Sequence, residues 1–168
     1  MMNNAITWSD LALILSQPSI AQLLIESARK RPDDHLEGYM NRYWLKPPAA
    51  DDLIELPLTP ADIYGNSIRI HHILTKDHDR HHHDHPWQFR SIILTGWYRE
   101  ERLDPSGVPM MITRCAGDTY TCSQGEYHRI VEISEEPLYT LCIIGKKLTK
   151  WGFLVDGSHV DSHEYLGY

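Results

Sequence analysis

The sequence predicts an all-β domain preceded by a short helical stretch. Three observations carry this. Apolar residues before Pro32 follow helical spacing. After Pro32 the period changes to two. From Ser67 onward short β-rich runs recur, divided by turn chemistry, the pattern of a sandwich or barrel. The 168 residues, 42% hydrophobic and 23% charged, are ordinary for one folded domain.

The elements follow in order. Thr7 or Ser9 suits the cap of a first helix over Leu11–Leu15. Pro18 fits the first turn of a second helix, where its missing N–H costs nothing. Ile20, Leu23, Leu24 and Ala28 fall on one face of that helix. Arg29, Lys30 and Arg31 close it, where cations suit the dipole, and Pro32 stops it. Tyr39, Tyr43 and Leu45 then share one face of a strand, with Met40, Arg42 and Trp44 on the other. Ala49–Asn66 reads as a loop, because it holds Pro57, Pro60 and Gly65. Strands are expected at Ile68–Leu74, His81–His85, Phe89–Leu94, Trp97–Leu103, Val108–Arg114, Thr119–Cys122, His128–Ile133 and Leu138–Ile144. Asp104-Pro105-Ser106-Gly107 fits a tight turn between two of them. Trp151-Gly152-Phe153 and the Tyr165–Tyr168 tail are expected to pack over a barrel end or on a partner. Residues 1–35 are thus expected to form a helical extension and 36–168 the β-barrel domain.

Composition excludes several classes. A net charge of −7 argues against nucleic acid as the main partner. No run approaches the roughly 18 apolar residues of a membrane span. Met1–Asn4 carries no basic cluster and Asp10 interrupts the first apolar stretch, so no signal peptide is expected. Cys115, Cys122 and Cys142 cannot all pair, which fits reduced thiols in the cytoplasm. A small molecule is the expected partner, and exposed aromatics suggest a homodimer.

Histidine is the anomaly. There are eleven, five of them between His78 and His85. In a strand, His81, His83 and His85 share a face, and two imidazoles at i and i+2 can meet one metal ion. A further ligand must come from another strand. His128 is the best candidate, because it follows the Gln124-Gly125-Glu126 turn and opens a strand. Burying several imidazoles without such a partner costs desolvation with no return.

These residues resemble the two motifs of the cupin superfamily. His83-Asp84-His85 is followed by Phe89 and then by Gly96, at the spacings of the first motif. Gly117, Ser123, Gly125, His128 and Glu132 fall at the spacings of the second. The resemblance covers roughly residues 67 to 145 and implies a double-stranded β-helix, or jelly-roll-like, barrel. It departs from the pattern at Asp77, where Gly is usual, at Ser123 for Pro and at Glu132 for Asn. Phe89 stands at the position of the acidic ligand. The resemblance therefore implies His83, His85 and His128 as metal ligands with no carboxylate, and leaves His81 as a rival. Tyr43-Trp44-Leu45, Arg69-Ile70-His71-His72, Asp79-Arg80 and Trp151-Gly152-Phe153 look like a narrower group of small single-domain cupins found in bacteria and in phage or prophage genomes. No activity comes with that group.

Three neutral imidazoles leave a divalent ion its full charge and suit iron, zinc or nickel, with manganese also possible. The missing acidic ligand is similar to cupin dioxygenases that use iron(II). The leading expectation is a non-haem iron(II) dioxygenase acting on a small chelating thiol, diketone or catechol-like substrate. One alternative is a metal-dependent isomerase or lyase on a sugar or keto acid, with Glu126, Tyr98 or Tyr127 moving protons. Another is a small-molecule-binding module without catalysis. Phe89, Ser91 and Ile93 continue the ligand face and are candidates to line a substrate pocket, though Phe89 and Ile93 also read as core. Arg42, Arg69 and Arg114 are candidates to hold a carboxylate, though each also reads as a solvated strand face. Tyr98, Tyr127 and His81 are the candidate catalytic groups. Asp84 points away from the ligands, either to orient a partner or to face water.

Overall fold

The computed structural model describes residues 5–49, 55–147 and 150–167. Helix α1 spans Trp8–Leu15 and α2 spans Pro18–Arg29. Thr7 caps α1: its Oγ1 accepts Asp10 N–H at 3.1 Å, and its own N–H reaches Asp10 Oδ2 at 2.9 Å. This reciprocal pair satisfies two otherwise orphaned donors. Pro18 opens α2 as expected. The buried face of α2 holds Leu24 and Ala28 as expected but not Leu23. Ala21, Ile25 and Ala28 are buried with Leu24 against them, whereas Leu23 is exposed.

Ten strands follow: β1 Met40–Lys46, β2 Ser67–Ile73, β3 Trp87–Thr95, β4 Trp97–Leu103, β5 Pro109–Cys115, β6 Thr119–Cys122, β7 His128–Ile133, β8 Leu138–Lys147, β9 Gly152–Val155 and β10 Ser158–Asp161. A 3-10 helix at Pro60–Gly65 interrupts the expected loop, and α3 spans Ser162–Leu166. All pairings are antiparallel. One sheet runs β1-β2-β8-β3-β6, a second β5-β4-β7, and β9 pairs with β10. The Asp104–Gly107 turn joins β4 to β5. Asp104 Oδ1 accepts N–H groups of Ser106 and Val108 at 2.8 and 2.9 Å, and Gly107 takes φ +81°.

The five-stranded sheet is apolar on both faces. Its outer face carries Ile70, Ile92, Leu94, Leu141 and Ile143 against α1 and α2. Its inner face carries Ile73, Ile93 and Leu138, which meet Tyr98 and Ile130 of the facing sheet. Burial on both sides explains the near-continuous apolar run Ser91–Leu94 in β3. The architecture is an all-β barrel of antiparallel sheets with a short helical part leaning on one wall. No single described helix is long and apolar enough to cross a membrane.

One sequence expectation is corrected. His81–His85 is not a strand. Only His83 makes bridges, to His128 on one side and Phe153 on the other. The segment exchanges His83 N–H to His128 O at 2.9 Å and Leu154 N–H to His82 O at 2.9 Å. It is thus an extended link between β7 and β9, ended by Pro86, which has no N–H to continue a ladder. The hairpin β9–β10 lies beyond the expected strands. It turns at Asp156-Gly157, with φ +49° and +78°. That dipeptide is a strong two-residue hairpin signal, and the four-residue strands beside it were too short to stand out.

Candidate metal centre

His83, His85 and His128 converge inside the barrel. One ligand atom from each lies within 4.8 Å of the others. Their ring centroids form a near-equilateral triangle, 5.1 Å for His83–His85, 4.8 Å for His83–His128 and 5.0 Å for His85–His128. His85 and His128 face each other Nε2 to Nε2 at 2.8 Å. Local structure sets this geometry. His128 opens β7, and its backbone is paired in both directions with His83. Two residues along the extended link, His85 turns to the same side.

Outer groups fix the rings. His128 Nδ1 donates to Glu100 Oε2 at 2.7 Å, so a neutral His128 turns the Nε2 lone pair toward the centre. Glu100 is fully buried on β4 and also accepts from Arg114 Nε at 2.9 Å, with Arg102 Nη1 at 3.5 Å. Burial alone would raise the Glu100 carboxyl. The hydrogen bond and charge of His128, with Arg102 and Arg114, outweigh it and hold the group down to about 2. His83 turns Nδ1 toward Asp77 Oδ2, 3.8 Å away, while that oxygen accepts Ile130 N–H at 2.6 Å. Burial, then the neighbouring His128, lowers His83 to about 4, and the same causes hold His85 well below the usual imidazole range. Both rings are therefore neutral near pH 7, with lone pairs to give. Three imidazoles and no carboxylate among the described residues make an all-nitrogen donor set that fits a borderline divalent ion.

The remaining sequence candidates separate. Phe89 does lie beside the centre, with its ring edge-on to His85 at 4.9 Å. Ser91 and Ile93 are buried further along the same inner face. Arg114 reads neither as a solvated face nor as a free carboxylate holder, because it is spent on Glu100 and lies over Tyr120 at 4.2 Å. Arg69 is buried and paired with Asp33 at 3.0 Å. Arg42 lies on β1 and its guanidinium bonds to Asp34 O, away from the triad. Tyr98 donates to Tyr120 at 2.7 Å; burial raises its phenol well above the ordinary range, so it stays protonated. Tyr127 is turned out to His159, 2.8 Å away, which removes it as a proton carrier at this centre. His81 is likewise outside the triad, bonded through Nδ1 to Tyr165 at 2.8 Å. Glu126 is half exposed, at the turn before β7, 3.7 Å from Arg102. Asp84 does not face water: it is buried, and its Oδ1 accepts Gly152 N–H at 2.8 Å. Cys115 is exposed. Burial pushes the thiols of Cys122 and Cys142 up to about 12 and about 11, so neither is a ready thiolate.

Sequence reasoning missed Glu100 and Asp77. It also missed the hairpin that places Trp151 and Phe153 at 6.3 and 6.1 Å from His83. Tyr165 stacks on Phe153 at 3.8 Å, so the C-terminal aromatics pack on their own chain; Tyr168 lies outside the described residues.

Three histidines meeting between antiparallel sheets define the class: an all-β barrel with a candidate metal centre. No protein-family model and no curated protein matches the chain. Among solved structures it is similar to oxalate decarboxylase from Bacillus subtilis, at 14% identity and TM-score 0.48, covering 84% of this chain and 32% of that one. It is similar to a Lactobacillus farciminis oxalate decarboxylase formate complex, at 15% identity and TM-score 0.49, covering 85% and 36%. A recombinant oxalate oxidase in complex with glycolate gives 13% identity and TM-score 0.48, covering 79% and 65%. The chain spans about a third of the length of the oxalate decarboxylases it matches.

Proposed function

We propose that the protein holds one divalent metal ion through His83, His85 and His128, and that it is an iron(II) dioxygenase of a small chelating anion such as a thiolate, diketonate or catecholate. The convergence of three imidazoles with no carboxylate in the donor set carries this reading. An ion held there would supply Lewis-acid and redox chemistry toward such a substrate and dioxygen. Glu100 keeps His128 in one tautomer and one orientation. Phe89, where an acidic ligand would otherwise stand, gives an apolar wall beside His85 and leaves the centre's positive charge undiminished. Tyr98 and Tyr120 stay neutral and present hydroxyls, not phenolates, to the interior. We place the chain among small single-domain cupins of the cytoplasm, a setting its three unpaired cysteines suit.

The test is anaerobic loading with iron(II), then oxygen uptake across thiols, diketones and catechols. Uptake that depends on one substrate class and is lost in His128→Ala is expected. Iron-loaded protein that consumes no oxygen with any of them, yet turns over a sugar or keto acid with zinc or manganese, would replace the oxygenase with an isomerase or lyase.

A further inference from the structure

Two cavities flank Trp87, the residue two past His85. The smaller, about 240 Å³, is bounded by Trp44, Asn66, Ser67, Arg69, Trp87 and Lys147. The larger, about 480 Å³, is bounded by Trp87, Lys147, Lys150, Trp151 and Asp161. Ser67, Ile144 and Phe89 form one row across β2, β8 and β3. The smaller cavity therefore opens on the same inner face as Phe89, whose ring meets His85.

The polar wall of the smaller cavity is built and incomplete. Arg69 is 8% exposed, and its guanidinium is held over Trp44 at 4.2 Å with Trp87 at 5.9 Å. Asp33 Oδ2 forms an ion pair with one of its amino nitrogens at 3.0 Å, and neither that oxygen nor Arg69 Nε has a hydrogen-bond partner. Asn66 is 1% exposed, and its Nδ2 donates to Glu55 O and Ile144 O at 3.2 and 3.0 Å. Those two bonds fix the amide, and its carbonyl Oδ1 is left without a partner. A buried donor and a buried acceptor left unmet are costly, and a ligand that meets them recovers the cost. The local charge also opposes the chain's. Arg69, Lys147 and Lys150 line the two cavities, with Asp33 facing Arg69 and Asp161 in the second lining, in a protein of net charge −7. Lys150 lies 3.6 Å from Asp161.

We propose that the smaller cavity binds a small planar organic carboxylate that carries a hydrogen-bond donor, and that the larger cavity is its charged approach. The carboxylate faces Arg69 and Lys147, the donor faces Asn66 Oδ1, and the indoles with Ile144 supply the apolar wall. A cleft lined by one sign of charge raises the local concentration of such an anion. This goes beyond the reading above and is separate from it: neither lining contains His83, His85 or His128.

The experiment is calorimetric titration of the full chain with 4-hydroxybenzoate and with its neutral isostere 4-hydroxybenzamide, on chelator-treated and on zinc-loaded protein. Expected are binding of the acid, at least about tenfold weaker binding of the amide, and a loss of at least about tenfold in Arg69→Lys, which keeps the charge facing Asp33 but loses the fork. Chelation is expected to change the acid's affinity less than about twofold, since the cavity's groups are not metal ligands. Ser67→Leu, which adds bulk at a residue lining the cavity, is expected to abolish binding. Absence of acid binding, equal binding of acid and amide, or binding that survives Ser67→Leu would overturn the proposal. Binding lost on chelation would overturn it too, while leaving the metal centre intact. If Arg69→Lys does not fold by circular dichroism, the acid–amide comparison on the unaltered chain decides.

Discussion

Replacing Glu100 by Gln changes one buried atom and leaves the side-chain shape almost intact. The carboxylate has no exposure and faces three cationic or protonatable groups: His128 at 2.7 Å, Arg114 at 2.9 Å and Arg102 at 3.5 Å. A hydrogen bond to a charged group contributes about 1.5–3 kcal/mol and a neutral one about 1 kcal/mol. The amide also leaves Arg114 and Arg102 facing each other with no anion between them. Breaking a buried charge cluster on one side typically costs about 3–5 kcal/mol. A second loss falls on the centre, because His128 is no longer held in the tautomer that offers Nε2. Removing such an outer partner typically costs about 10–100-fold in metal affinity. Urea unfolding of the chelated protein reads the first effect and zinc titration with a competing chelator reads the second. Stability within about 0.5 kcal/mol of the parent, together with metal affinity within about twofold, would refute the reasoning.

Other perturbations follow from the same contacts. His81→Ala is expected to keep the metal, since His81 is bonded to Tyr165 at 2.8 Å outside the triad; elemental analysis showing an empty centre would promote His81 to a ligand. Gly96→Ala places a Cβ 2.6 Å from Ser134 Oγ and 3.1 Å from the Leu138 backbone at φ +70°, so a loss of about 1–3 kcal/mol is expected in thermal melts. Without metal, stability is expected to be full above about pH 6.5 and to fall as the solution is acidified. His71 and His83 stay neutral in the fold down to about 3 and about 4 because burial opposes their charge, while the unfolded chain takes up protons below about 6.5. Each contributes a slope of up to about 1.4 kcal/mol per pH unit in that window. The Glu100 contribution has the same sign at lower pH, present above about 4.5 and lost toward about 2. Urea midpoints that stay flat from pH 7.5 to 5 in chelator would contradict this.

The meeting of His83, His85 and His128 was legible because motif spacing fixes which residues oppose each other across a barrel, whatever the intervening conformation. The spacing even survived a wrong local reading, since His81–His85 is an extended link and not a strand. Most strands were legible for a simpler reason: turn residues such as Asp104-Pro105-Ser106-Gly107 bound them chemically. Glu100 was hidden. Arg99, Glu100, Glu101 and Arg102 put charge on both faces of β4, so alternation does not say which face is buried. Its burial depends on His128 from β7 and Arg114 from β5, partners that only the assembled barrel supplies. The exposed Leu23 was misread for a related reason. Helical spacing gives a stripe, but the face that is buried holds Ala21, Ile25 and Ala28.

The most direct measurement is the metal content of untagged protein after loading with iron or zinc and removal of excess ion, for the parent and for His128→Ala. One divalent ion per chain is expected in the parent. A folded, empty His128→Ala variant is expected beside it. Full occupancy in that variant, or a parent that retains no ion under any loading, would contradict the centre on which the proposed chemistry depends.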